Sequence, residues 1–281
     1  MNDKQPVSGQ NAGHGRKRPW LFFLLAYGWS WLMWSPAILF GWEWGEPRTM
    51  IVFVSGVGPL VAALVLLYRG YTDEPASSFW RRVFDVRRIG VVWWVPIIAL
   101  PFGVNLIARL FSSGEAAGDT DPVTIGGLLV IVLIFGMGAG FVEEIGWRGY
   151  ALDPIQQRHS ALVASLIIGI AWSAWHLPLF FIEGSYHHGL GVGTIAFWLF
   201  VLAIVFWSVL YTWVYNHTAR SILAVILMHA FYNIAAEVAG PAGDQEYVRI
   251  AILGAITVVV VILWGPRTLA RPTIAPGRSA V

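Results

Sequence analysis

The sequence predicts an all-α, polytopic membrane protein of about eight transmembrane helices with both termini in the cytoplasm. Three observations predict it. Of 281 residues, 57% are hydrophobic and 12% are charged, against a charged share of about 25% in a typical soluble domain. Apolar runs long enough to cross about 30 Å of hydrocarbon recur along the chain. The basic residues also sort by side. With both termini inside, Arg48, Arg109 and Arg249 fall outside and the remaining fifteen of the 18 Lys and Arg fall inside, a strong positive-inside bias.

Cysteine is absent, so disulfides and thiolate metal sites are excluded. The formal charge of +2 carries no argument for nucleic acid, and no nucleic-acid partner is expected. The lipid bilayer is the partner that the composition implies.

Taken in order, residues 1–19 are polar, end in a basic run at Arg16-Lys17-Arg18, and read as a disordered cytoplasmic tail. Trp20 to Phe40 is long enough to span and has no small-residue cleavage site after it, so it reads as an uncleaved first helix. Further spans are expected at Met50–Tyr68, Val91–Leu110, Thr124–Tyr150, Ala161–Phe181, Thr194–Tyr215, Ile222–Val238 and Ile250–Trp264. The transmembrane domain then covers 20–264, with its catalytic core at about 124–238, and 265–281 is a flexible tail. Between the second and third spans, Phe79 to Arg88 alternates apolar residues with paired arginines. This spacing suits an amphipathic helix lying on an anionic leaflet. Trp42-Glu43-Trp44 reads as part of an interfacial aromatic belt.

Chemistry is expected where polar side chains interrupt apolar spans. An ionisable residue at the centre of a membrane helix costs roughly 2.5–3.5 kcal/mol on insertion scales, and such residues are functional candidates by default. The fourth span supplies Glu143, Glu144 and Arg148, the fifth Trp172 and His176, the seventh His229 and Asn233. Glu144 and Arg148 are four apart in the favourable acid-before-base order, so they form a supporting pair. Glu143, about 100° around the helix, is left as a lone carboxylate in a low-dielectric pocket, a plausible general base for water. His229 and Asn233 stack four apart as two donors suited to an oxyanion. His176 is left to orient the water or carry its proton. Depth strains this picture. At 1.5 Å per residue His176 lies about 22 Å from Ala161, and His229 only about 12 Å from the inner end of its span. The fifth helix must start late, tilt, or bend at Pro178.

Glu143-Glu144-Ile145-Gly146-Trp147-Arg148-Gly149-Tyr150, Trp172 to His176 and His229 to Asn233 resemble the motifs of the CPBP family. These are intramembrane proteases that include the type II CAAX prenyl endopeptidases and bacterial relatives linked to bacteriocin immunity and abortive infection. The second motif departs from the family's Phe-x-x-x-His by placing Trp172 at the aromatic position. The resemblance implies hydrolysis of a peptide bond in a membrane-associated protein or peptide, inside a cavity open to the cytoplasm of, most simply, a bacterial cell. It assigns Glu143 and His176 to water activation, His229 and Asn233 to the oxyanion, and a supporting role to Glu144 and Arg148. No cofactor is expected. Zinc held by Glu143, His176 and His229 is the alternative within the family, since one carboxylate and two imidazoles leave a fourth position for water. Outside it, the alternatives are a haem axially ligated by His176 and His229, or a transporter relaying protons through Glu143.

Overall fold

A computed structural model describes residues 16–49, 54–111, 122–239 and 245–270, and among them every regular element is helical. The long helices in chain order are α1 (Pro19–Leu39), α2 (Gly58–Tyr68), α3 (Ala76–Phe84), α4 (Trp94–Leu110) and α5 (Pro122–Gly146). A π-helical segment, Trp147–Leu152, carries α5 into the short α6 (Asp153–Gln156). Then come α7 (Ala161–Trp175), the five-residue α8 (Tyr186–Leu190), α9 (Ile195–His217), α10 (Ile222–Ala239) and α11 (Gln245–Trp264).

Six of the expected runs form helical stretches long and apolar enough to cross a membrane among the described residues. They are Pro19–Leu39, Val91–Leu110, Ala161–Phe181, Ile195–His217, Ile222–Ala239 and Gln245–Trp264. The run expected at Met50–Tyr68 is shorter where it is described. Its helix α2 has 11 residues, about 16 Å of rise, and starts at Gly58 because Pro59 suits a first helical turn and not an interior. Residues 50–53 lie outside the described set, as do 1–15 of the expected tail and 271–281. The last span begins at Gln245, five residues before the expected Ile250, with Glu246 and Arg249 paired within its first turns.

Glycines let α5 sit between its neighbours. It packs against α2 and α10, and α4 also packs on α10. A Cβ at Gly140 would stand 2.7 Å from the Ile226 carbonyl oxygen on α10, and one at Gly146 would stand 2.6 Å from that of Pro59 on α2. Small residues at these points are what allow membrane helices to close on each other by van der Waals contact. On the other flank, α9 packs against α7 and α11.

The bundle has two unlike ends. One gathers the start of α1, the α2–α3 connection, the π segment and the α9–α10 turn. Lys17 there is buried and lies 3.4 Å from Asp73, 3.5 Å from Glu74 and 3.8 Å from Asp153. Arg82 joins Glu74 at 2.6 Å and Asp153 at 3.1 Å, and Arg220 also pairs with Asp153. The Tyr150 hydroxyl donates to the Tyr71 carbonyl at 2.7 Å and accepts from the Arg18 N–H at 3.2 Å. Thus α3 is amphipathic as expected, with Arg81 and Phe84 exposed, but Arg82 turns inward to this network and not toward lipid headgroups. The opposite end joins the α1–α2 and α7–α8 connections, where the Trp44 N–H donates to the Glu183 carbonyl at 2.8 Å.

Candidate active site

Glu143 and Glu144 sit in the last turn of α5, where Gly140 and Gly146 have drawn that helix against its neighbours. Glu144 is sealed from solvent. Arg148 donates from Nη1 to both of its carboxylate oxygens at 2.9 Å, the pairing expected from the four-residue spacing. The guanidinium is itself gripped. Nη2 donates to Ser208 Oγ at 2.9 Å, and Ser208 donates to the Ser165 carbonyl at 2.8 Å. The rings of Trp172 and Tyr211 each lie 5.0 Å from its carbon, a contact that favours a desolvated cation. The π segment begins at Trp147, so Arg148 leaves the regular ladder just after the carboxylate it serves. Such departures recur at functional sites.

Glu144 has a second partner that the spacing did not predict. His229 Nδ1 lies 2.9 Å from Glu144 Oε1. Both oxygens of this carboxylate accept from Arg148, so in the contact with His229 Nδ1 is the donor and Nε2 is the ring's remaining functional atom. Tyr211 stacks on His229 at 5.7 Å and Trp172 meets it edge-on at 5.2 Å.

Glu143 points elsewhere. The Trp172 indole N–H donates to Glu143 Oε2, a contact that phenylalanine at this position could not make. The Trp172 carbonyl lies 2.8 Å from His176 Nδ1. Since a carbonyl only accepts, His176 is protonated at Nδ1 and offers a lone pair at Nε2. His176 caps the C-terminus of α7, followed by the 3-10 turn Leu177–Phe181 in which Pro178 cannot continue the helix. The expected late start of that helix is not found. It begins at Ala161, with Ser160 Oγ accepting from the Val163 N–H at 3.2 Å. His176 is therefore at the far end of its helix from the basic network.

Glu143, His176 and Asn233 line one cavity of about 690 Å³. His229 does not line it; it stands behind, joined to Glu144. Two further polar residues do, His187 and Glu237. His187, in α8, stacks on His176 at 5.4 Å and meets Phe180 and Phe200 edge-on at 5.3 and 5.0 Å. Loss of water against these rings pushes its imidazole down to about 4, although one side of the ring still reaches the cavity. Glu237 was legible in principle, since it extends the His229, Asn233 series by another four residues. Ser208 and Tyr211 were signalled only as polar groups in an apolar span, and His187 had no spacing signal at all.

Among the described residues no three His, Asp or Glu side chains are grouped to hold a metal ion. Each imidazole keeps Nε2 open while Nδ1 faces an oxygen acceptor, an arrangement that metal-ligating histidines also use. The haem alternative requires two imidazoles facing each other across a macrocycle, whereas both pack near the Trp172 ring, at 6.2 and 5.2 Å.

Comparison with known proteins points the same way as the motifs. The family profile described as type II CAAX prenyl endopeptidase Rce1-like matches residues 125–235, the stretch that contains all three motifs. A protein named CAAX prenyl protease 2 from Methanococcus maripaludis is 26% identical over 260 residues, covering 87% of this chain and 93% of its own length. In its three motifs, in the profile match and in an alignment along most of its length, the chain is similar to the CPBP, type II CAAX-type membrane proteases.

Proposed function

We propose that this protein is an intramembrane endopeptidase that hydrolyses a peptide bond of a membrane-associated protein or peptide, using Glu143 and His176 to activate water. The observation that carries the reading is the meeting of Glu143, His176 and Asn233, from three separate helices, on one cavity. Glu143 takes a proton from the water as its oxygen adds to the carbonyl carbon, and His176 orients that water through Nε2. The Asn233 amide donates to the oxyanion as the carbonyl bond opens. His229, set behind the cavity wall, is the second donor, in a ring that enters the reaction with a proton on both nitrogens, Nδ1–H on Glu144 and Nε2–H for the oxyanion. Glu144 supplies its countercharge, much as the carboxylate of a catalytic triad serves its imidazole. Glu143 then passes its proton to the leaving amine, the C–N bond breaks, and carboxylate and amine are released.

No step needs a metal. The same reading takes the chain as crossing the bilayer eight times with both termini in the cytoplasm, as the distribution of basic residues favours. The prenylated substrate implied by the relative's name is not required by this chemistry, which acts on an amide.

The test is cleavage of a co-expressed membrane reporter by wild type and by Glu143→Ala, His176→Ala and His229→Ala. Loss of a general base lowers rate by about 10²–10⁴, and loss of an oxyanion donor by about 10²–10³. Equal cleavage by all four proteins removes the assignment. Wild-type activity that survives a strong chelator favours the glutamate route, and activity abolished by chelator and restored by zinc overturns it.

A further inference from the structure

The cavity and the basic network lie at opposite ends of the bundle. Besides its catalytic candidates, the cavity is walled by Trp44 from the α1–α2 connection, Leu179 from the turn after α7, His187 from α8, and Glu237 from the last turns of α10. These segments share one end, where the Trp44 N–H meets the Glu183 carbonyl. At the other end the way is shut. Every residue of the π segment from Trp147 to Leu152 is buried, and beneath it Lys17, Arg82 and Asp153 form a buried charged plug.

Charge decides which end faces the cytoplasm. The plugged end also bears Arg69, Arg81, Arg87, Arg158 and Arg267. The cavity end bears Arg48, Arg109 and Arg249, of which Arg48 and Arg249 are paired with Glu46 and Glu246. An excess of Lys and Arg in short loops marks the cytoplasmic side. The mouth is then on the other side. This also accounts for the depth of His176, which sits at the end of α7 away from the plug.

We propose that the cavity receives its polypeptide from the non-cytoplasmic side, so that its substrates are membrane-anchored or membrane-adsorbed chains presenting the scissile bond at the outer leaflet. The substrate class rests on the proteolytic reading above; the orientation does not. A prenylated C-terminus on the cytoplasmic leaflet could not reach this mouth.

The chain has no cysteine, which makes single-cysteine labelling clean. Glu183 and Arg158 are exposed at opposite ends, so Glu183→Cys and Arg158→Cys are made in the full chain in a bacterial plasma membrane. A membrane-impermeant maleimide is expected to label Glu183→Cys in intact cells and Arg158→Cys only after permeabilisation. The reverse pattern overturns the orientation. Two reporters with the same cleavage sequence, one just inside the outer leaflet and one just inside the inner leaflet, are then given to the wild type. At least tenfold faster cleavage of the first is expected, and preference for the second overturns the proposal. If neither reporter is cut more by wild type than by Glu143→Ala, proteolysis fails and the substrate class falls with it, while the labelling result still decides the orientation.

Discussion

Glu143 and Glu144 are chain neighbours of identical chemistry, and their surroundings give them different work. Glu144 meets Arg148 and His229, two partners that require its charge. Glu143 meets one indole N–H and the cavity, so it retains lone pairs for water. Trp172 is the residue that separates the two roles, since its ring covers Arg148 while its N–H holds Glu143. A hydrogen bond to a charged group contributes about 1.5–3 kcal/mol. Trp172→Phe, which keeps the aromatic contact and removes the donor, is therefore expected to lower kcat about tenfold to hundredfold with KM little changed. Steady-state kinetics on a peptide reporter check this. An unchanged kcat would mean that Glu143 is held by its backbone alone.

At the scale of elements, the placement of Glu143 depends on how closely α5 approaches α10. The approach is set at Gly140, whose added Cβ would fall 2.7 Å from a backbone oxygen that cannot swing aside. Gly140→Ala is expected to push the helices apart and lower stability by about 1–3 kcal/mol, read as a lower Tm in detergent. Activity should fall further than stability does, because a shift of about 1 Å between catalytic groups can cost about 10²-fold in rate. Gly138, on the same helix with nothing near its Cβ position, is the control: Gly138→Ala should leave Tm unchanged or raise it, since alanine is favoured over glycine in helices by about 1 kcal/mol. If both variants behave alike, close approach at Gly140 is not what seats α5.

For the whole molecule, the charged plug ties segments that are far apart in the chain. Asp153 alone accepts from Arg82 at 3.1 Å and from Tyr215 at 3.0 Å, and pairs with Arg220. Removing one partner of a buried ionic group costs about 3–5 kcal/mol because the other charges are stranded. Arg220 is half in solvent, so the lower part of that range applies. Asp153→Asn is expected to release the segment around Lys17, and trypsin added to the detergent-solubilised protein should then cut at Arg16 to Arg18 faster than in wild type. Unchanged cleavage would show that helix packing holds this end without the ion pairs.

The run of apolar segments, the Glu144–Arg148 pair and the motif residues were legible in the sequence, because helical period and the cost of polar groups in lipid act locally. A four-residue spacing implies a shared face before any neighbour is known. What the tertiary structure decided was which faces met. It sent His229 to Glu144 and away from the cavity wall, turned Arg82 inward from the leaflet, brought His187 and Glu237 to the cavity, and put the mouth at the end opposite the basic loops. Each outcome depends on contacts between helices distant in the chain, whose rotation and depth are set by packing at points such as Gly140 and Gly146, and no periodicity within one segment encodes that.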